Sequence, residues 1–295
     1  MQEEDLKDAK ASAYAREPAT ILDGIPVFAT DDAYSRNYER IAADHLAHAS
    51  KLGENPFISE LLWNELEDST IALVKKYSRA NDRVLDAGVG LGRVLAQVPH
   101  LRRYGVDISI GYLKELRDTG IDVCLARLED LPYRESFFDI VVCTDVLEHV
   151  LDLNLSIARL LTVLKPAGTL IVRVPYREDL APYTMPDYPY DYAHLRAFDE
   201  HSLTLLFSKI FRLETLEWTV AGWWPDTSRL KSRHSRLSRM LFRGFASLAI
   251  RTSNSRSGER VRRLSAALRS SRMTQLFFFP IGINFVLRKS TPCAE

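Results

Sequence analysis

Several short stretches of this chain combine residue types and spacings that can do chemistry. In Val84-Leu85-Asp86-Ala87-Gly88-Val89-Gly90-Leu91-Gly92, a carboxylate precedes a glycine-rich turn. Such a carboxylate repels a pyrophosphate and attracts the ammonium of an amino-acid-like ligand. The spacing also departs from the dinucleotide fingerprint GxGxxG, because Arg93 stands where the third glycine is due. Asp107 ends Tyr104-Gly105-Val106-Asp107, with Ile108 next, and an acid there can accept both hydroxyls of a ribose. In Arg127-Leu128-Glu129-Asp130-Leu131-Pro132, a carboxylate such as Asp130 can accept a hydrogen bond from an adenine amino group, with Glu129 beside it. His149, shortly after Thr144, and His194 are the candidate proton acceptors. Tyr190, Tyr192 and Arg196 surround His194 in sequence and are the candidates to shape a second ligand's pocket.

These groups need elements to hold them, and the pattern from Arg83 to Arg173 supplies them. Short apolar runs alternate with amphipathic ones, a βαβα rhythm. Strands are predicted at Arg83–Asp86, Arg103–Asp107, Asp122–Ala126, Phe138–Cys143 and Thr169–Val174. Helices are predicted at Leu91–Gln97, Ile110–Thr119 and Leu153–Leu164, the last stopped by Pro166 and Gly168. Apolar strands such as Ile140-Val141-Val142-Cys143 fit a parallel sheet covered on both faces. The predicted core is a doubly wound α/β sheet, and its glycine turn lies at the carboxyl end where such sheets bind ligands.

Residues 31–80 read as helices that cap the sheet, with Leu61, Leu62, Leu66, Leu73 and Val74 on one apolar face. Val174–Ala197 is rich in Pro and Tyr and reads as a long shaped loop, followed by a helix at Asp199–Ser208. Strand-like runs at Phe211–Ala221 and Gln275–Arg288 close the core. The expected domains are an N-terminal segment and helical cap at 1–80, a core at 81–222 plus 276–290, and an inserted block at 223–275.

Composition bounds the class. The chain has 295 residues, 46% apolar and 26% charged, enough for a substantial core. Cys124, Cys143 and Cys293 are odd in number and lack CxxC spacing, so neither a disulfide framework nor a zinc ribbon is expected. A reducing, cytoplasmic setting follows, with no signal peptide and no spanning helix expected. His45 and His48, beside Asp44, lack a third ligand and read as surface residues. The net charge of zero hides an asymmetry: residues 226–275 hold 13 Arg or Lys against Asp226 and Glu259, so this block is +11 and the remainder −11. Arg229, Arg233 and Arg236 interleave with Leu230, Leu237 and Met240, an amphipathic pattern suited to peripheral contact with an anionic membrane. A solvated helical hairpin packed on the protein or a second subunit, and a phosphate-binding surface for RNA, are the alternatives.

Taken together, the order D-x-G-x-G-x-G, an acid ending the second strand, an acid after the third, and Phe138 through Val150 with its Leu147-Glu148-His149-Val150 close resemble class I S-adenosylmethionine-dependent methyltransferases. The similarity is to the type 11 branch that includes ubiquinone-pathway O-methyltransferases, over about residues 80–220. It implies a Rossmann-like, seven-stranded, mostly parallel sheet with its last strand antiparallel. It further implies that Asp86 with Gly88, Gly90 and Gly92 cradles the methionine part of S-adenosyl-L-methionine, that Asp107 and Ile108 hold the ribose, that Glu129 with Asp130 flanks the adenine, and that Thr144 lies beside the cofactor. Leu164-Lys165-Pro166-Ala167-Gly168-Thr169-Leu170 is a further landmark, with Ala167 in place of a common glycine. Ile21 to Phe28 resembles the hairpin that precedes some such domains, without zinc cysteines. The expected activity is metal-independent O-methylation of a small or carbohydrate-like acceptor, including phosphate- or lipid-linked ones, with His149 or His194 as base. The alternatives are an RNA or protein methyltransferase guided by the Arg-rich block, and a non-catalytic binding protein that keeps the fold.

Overall fold

Ile140, Val141, Val142 and Cys143 are all buried, as a strand covered on both faces requires. They belong to a sheet described by a computed structural model that covers residues 13–52, 55–225 and 278–290. The strands are β1 (Thr20–Leu22), β2 (Ile25–Val27), β3 (Arg83–Ala87), β4 (Arg102–Asp107), β5 (Asp122–Leu125), β6 (Phe138–Thr144), β7 (Leu164–Pro175), β8 (Glu214–Pro225) and β9 (Phe278–Arg288). The helices are α1 (Ala33–Leu52), α2 (Glu60–Tyr77), α3 (Arg93–Ala96), α4 (Ile110–Glu115), α5 (Leu153–Val163) and α6 (Glu200–Thr204).

All nine strands form one sheet in the order β1-β2-β5-β4-β3-β6-β7-β9-β8. Strands β3 to β7 are parallel, and β9 runs antiparallel between β7 and β8. The sequence direction reverses beside β3, which opens the crevice used by ligands of such sheets at the carboxyl ends of β3, β4 and β6. Alternate residues feed two buried clusters, one on each face. Leu85, Val141 and Cys143 join one; Val84, Ile140 and Val142 join the other.

The expected seven strands are present, and the N-terminal hairpin adds two more. Asp23 and Gly24 turn this hairpin with φ of 50° and 81°, the left-handed pair that a two-residue hairpin demands. Val27 of β2 then pairs with Leu125 of β5, and the Phe28 amide donates to the Leu125 carbonyl at 2.8 Å. Local sequence shows the hairpin but not the distant edge that receives it.

Several boundaries differ from expectation, among them those of β7 and α6. Strand β7 begins at Leu164, directly after α5, instead of at Thr169. Phe138 pairs with Leu164 and Ile140 with Thr169, so Lys165 to Gly168 bulge out of register inside the strand. Ala167 sits there at φ 59°, a conformation that costs an L-residue roughly 1 kcal/mol. The helix expected at Asp199–Ser208 is α6 with Asp199 as its N-cap, but Leu205–Ile210 continues it as a π-helical turn.

The inserted basic block lies outside the described residues from 226 onward, and with it the amphipathic face and Cys293. Among the described residues, no helix is long and apolar enough to cross a membrane.

Helix α2 is locked to the sheet by more than its buried Leu62, Leu66, Leu73 and Val74. Arg173 of β7 is 1% exposed. Its guanidinium donates to Asp145 Oδ2 at 2.7 Å, Glu67 Oε1 at 3.2 Å and Thr70 Oγ1 at 2.8 Å. Thr70 in turn donates to Asn284 Oδ1 of β9 at 3.1 Å. Removing the cation of a buried ion pair leaves uncompensated charge and costs roughly 3–5 kcal/mol. Arg173→Met is therefore expected to lose about 3 kcal/mol in urea unfolding, because Asp145 is partly solvated and moderates the loss. A loss below about 1 kcal/mol would show that the network contributes little.

Candidate active site

Where β3 ends, backbone geometry decides which residues can stand. Gly88, Gly90 and Gly92 have φ of 88°, 48° and 66°, the left-handed region open to glycine. A Cβ on Gly88 would come within 2.1 Å of Val146 Cγ2 and one on Gly92 within 2.7 Å of Leu116 Cδ2, so these two serve packing as well. A Cβ on Gly90 would meet nothing within 4 Å. Its empty side lies along a cavity of about 1070 Å³, larger than one ligand of ordinary size occupies.

Asp86, 2% exposed, lines that cavity, and its Oδ1 has no hydrogen-bond partner. Burial, reinforced by the nearby carboxylate of Glu67, pushes its carboxyl well above the usual range. An uncompensated buried acid beside open space is fit to receive a cation. Asp107 ends β4 and ties the glycine turn in place. Its Oδ2 accepts the Gly90 amide and its Oδ1 the Ser109 amide, each at 2.9 Å. Burial raises its pKa, and these amide bonds oppose the rise. Glu129 lines the same cavity and accepts the amide of Leu151 at 3.2 Å. Ile108 and Thr144 line it too. The orphaned Asp86 oxygen, the bare Gly90 and the Asp107 carboxylate together fit a nucleoside that carries an ammonium group.

The other end of the cavity is aromatic and titratable. Tyr34, Tyr38, Tyr183, Tyr188 and Tyr190 contribute to its wall. His149 follows β6, and its Nδ1 lies 3.2 Å from both the Tyr38 hydroxyl and the Ala193 carbonyl. Burial, then the adjacent imidazole of His194, lowers its pKa to about 3, so the ring is neutral at physiological pH. The rings of His149 and His194 are 4.6 Å apart, edge to face. His194 Nδ1 is held by Glu178 Oε2 and lies 3.2 Å from the Tyr183 hydroxyl. Beside them Glu148 is fully buried, and burial together with Asp145 raises its pKa.

The structure thus places Asp86, Gly88, Gly90, Asp107, Ile108, Glu129, Thr144, His149, His194 and Tyr190 around one cavity. Gly92 stands one step behind as the N-cap of α3. Three other candidates stand elsewhere. Asp130 is turned outward, 57% exposed, in a two-point pair with Arg16 at 2.6 and 2.8 Å, so the cavity's acid after β5 is Glu129. Arg196 donates to the carbonyls of Leu147 and Val150 at 2.8 and 2.6 Å and braces the turn after β6. Tyr192 stacks on Tyr34 at 6.0 Å, behind the cavity wall. His45 is buried rather than at the surface; its Nδ1 lies 2.7 Å from the Tyr112 hydroxyl.

Sequence reasoning missed Glu67, Arg173, Glu148 and Glu178. Glu148 had a signal, an acid next to His149 at a strand exit. Glu67 and Arg173 had none, since each is legible only once α2 is laid against β7.

Comparison with known proteins agrees with this geometry. Residues 85–172 match the model of the methyltransferase domain family. An uncharacterized protein of Methanocaldococcus jannaschii is 33% identical over 125 residues, 42% of this chain and 53% of that one. The tRNA (carboxymethyluridine(34)-5-O)-methyltransferase of Arabidopsis thaliana is 37% identical over 94 residues, 31% of this chain and 23% of that one. The ubiquinone/menaquinone biosynthesis C-methyltransferase of Pectobacterium atrosepticum is 34% identical over 107 residues, 32% of this chain and 43% of that one. The chain thus spans about half the length of these relatives or less. In fold, it is similar to a SAM-dependent methyltransferase structure from Thermotoga maritima, with TM-score 0.53, 17% identity, and 86% of this chain and 99% of that one covered. The glycine-rich turn after β3 and the acid that ends β4 both lie within the matched stretch, and residues 85–172 of this chain carry a methyltransferase domain of that family.

Proposed function

We propose that the chain transfers a methyl group from S-adenosyl-L-methionine to a hydroxyl oxygen of a small polar acceptor, including carbohydrate-like and phosphate- or lipid-linked ones. One observation carries this reading: a single cavity holds the Asp86–Gly90–Asp107 cradle and the Glu148–His149–His194 group together. The bound cofactor supplies an activated methyl on a sulfonium, whose positive charge makes sulfur the leaving group. The protein's part is to bind, orient and manage one proton.

Asp86 receives the amino group of the methionine part and becomes ionised against it. Gly88 and Gly90 offer their backbone at close range, Asp107 takes the ribose hydroxyls and Glu129 faces the adenine. Arg173 holds Asp145 and Glu67 behind Asp86, so that the cavity keeps its shape while it carries surplus negative charge. That surplus favours a cationic cofactor over its neutral product, which helps the product leave. At the other end, the acceptor rests on the tyrosines and its hydroxyl approaches the two imidazoles. As the O–C bond forms and the C–S bond breaks, the electron pair stays on sulfur and the hydroxyl proton must leave. His149, neutral and with its pKa pulled down, is a weak acceptor for that proton; His194, oriented by Glu178, stands beside it with its other ring nitrogen free.

A second reading, a tRNA acceptor, draws on the similarity to the Arabidopsis enzyme and on the 13 basic residues within 226–275. Peripheral contact of this block with an anionic membrane remains the reading its residue pattern supports for a lipid-linked acceptor.

Calorimetric titration with S-adenosylhomocysteine tests the cradle. Asp107→Ala is expected to weaken binding about tenfold or more, the value of a hydrogen bond to a charged group. Gly90→Ala is expected to do the same with little change in melting, since its Cβ meets only the cavity and the backbone cost is roughly 1 kcal/mol. Unchanged affinity in both variants would mean that the cradle does not hold the cofactor. Methyl-labelled cofactor incubated with a panel of phenols, catechols, sugars and sugar phosphates tests the acceptor class. Label in an ether product is expected; label only in tRNA, with binding that falls steeply with salt, would replace this reading with the second.

A further inference from the structure

At the acceptor end of the cavity, one carboxylate and two imidazoles converge. One ligand atom from each of Glu148, His149 and His194 lies within 4.8 Å of the other two, the only such group of three found among the described residues. Glu148 is 0% exposed, and neither of its carboxylate oxygens has a hydrogen-bond partner. A carboxylate taken out of water without partners is expensive, and a native site repays that cost with a cation. Among the described residues no Lys or Arg does so: Arg173 is committed to Asp145 and Glu67, Arg196 to backbone carbonyls, and Arg177 to Glu200. The nearest cationic candidate, His149 Nε2, stands 3.9 Å from Glu148 Oε1.

The outer contacts of both imidazoles have the pattern of metal-ligating histidines, whose second ring nitrogen is engaged by a carbonyl or carboxylate. His149 Nδ1 faces the Ala193 carbonyl at 3.2 Å, with the Tyr38 hydroxyl also bonded to that carbonyl at 3.0 Å. This fixes a proton on Nδ1 and leaves Nε2, the nitrogen toward Glu148, with a lone pair. His194 Nδ1 is held by Glu178, itself bonded by the Tyr183 hydroxyl at 2.6 Å, and Nε2 is again left as a donor pair.

We propose that Glu148, His149 and His194 form a divalent-metal site of the zinc type, with an open position for the acceptor oxygen. Two nitrogens and one oxygen suit Zn²⁺ better than Mg²⁺ or Ca²⁺, which prefer all-oxygen shells. Ligand bonds of about 2.0–2.2 Å require the three groups to draw in by about 1 Å or less, within the reach of side-chain torsions. Three protein ligands with a free fourth position are the arrangement of catalytic rather than structural zinc. The inference rests on the reading of the cavity as a methyl-transfer site and replaces its imidazole base with the metal: His194 ligates the cation instead of accepting the proton. A hydroxyl oxygen on the metal is acidified, loses its proton to solvent and attacks the methyl carbon as an alkoxide; the C–S pair remains on sulfur. The sequence alone assigned no metal to these residues, because Glu148, His149 and His194 converge only through the fold of the 176–195 loop.

The tag-free full chain, stripped with a chelator, is reloaded with Zn²⁺ alone and its metal content measured after gel filtration; Co²⁺ is loaded in parallel for its visible absorption. About one equivalent of zinc is expected, with a tetrahedral or five-coordinate cobalt spectrum. His194→Ala is expected to retain none, and Glu178→Gln to bind at least about tenfold more weakly, the usual effect of losing an outer partner. S-adenosylhomocysteine affinity is measured on the same samples and is expected to be unchanged in both variants, which separates loss of metal from loss of fold. Wild-type protein that binds S-adenosylhomocysteine but holds no zinc, or His194→Ala that holds as much as wild type, overturns the metal site alone. Wild-type protein that holds zinc without binding S-adenosylhomocysteine overturns the methyltransferase reading beneath it.

Discussion

A guanidinium with almost no access to water sets the terms for the rest of this molecule. Asp86, Glu67, Asp145 and Glu148 come from β3, α2 and the loop after β6, and all face one region near the carboxyl ends of the central strands. Four acids so placed repel each other, and Arg173 is the fixed cation that lets them coexist. It spans Glu67 on α2 and Asp145, whose own φ of 54° turns the chain out of β6. The same side chain thereby decides where the cap helix lies, how β6 ends, and how much negative charge is left over for a ligand to neutralise. Stability and ligand preference are two results of one electrostatic arrangement.

The excess is divided between two places. Near the glycine turn it falls on Asp86, whose raised pKa marks a group that ionises only when a cation arrives. Near the loop it falls on Glu148, whose carboxylate oxygens have no hydrogen-bond partner among the described residues. A cofactor that is a cation and a metal that is a cation address these two deficits separately, within one cavity.

What could be read from the chain, and what could not, follows from distance along it. Asp86, the three glycines and Asp107 were legible because one turn and two adjacent strands bring them together, and their spacing is itself the turn. Asp130 and Glu129 are neighbours on a short 3-10 turn, and nothing in the sequence says which of them looks inward; Arg16, 114 residues away, settles it by pairing with Asp130. Tyr190 lines the cavity, whereas Arg196, in the same stretch, is consumed by the carbonyls after β6. Arg173 read as a residue of an otherwise apolar strand, and its partner Glu67 stands 106 positions earlier, so the charge network was invisible until the cap was in place. The β-rich part was legible as a class, but the landing of the N-terminal hairpin on β5 depends on an edge that only the assembled sheet possesses.

Strands β8 and β9 run side by side to their very ends, where Pro225 is paired with Phe278. The chain therefore leaves the sheet and re-enters it at neighbouring points, beside Trp224 and Phe279 on the cavity wall. Once two anchors are pinned this close, the entropy of closing the span between them grows only with the logarithm of its length. The sheet is thus almost indifferent to how many residues are spliced in there, and a span of any length can leave and return at this one joint without moving a strand that holds the glycine turn.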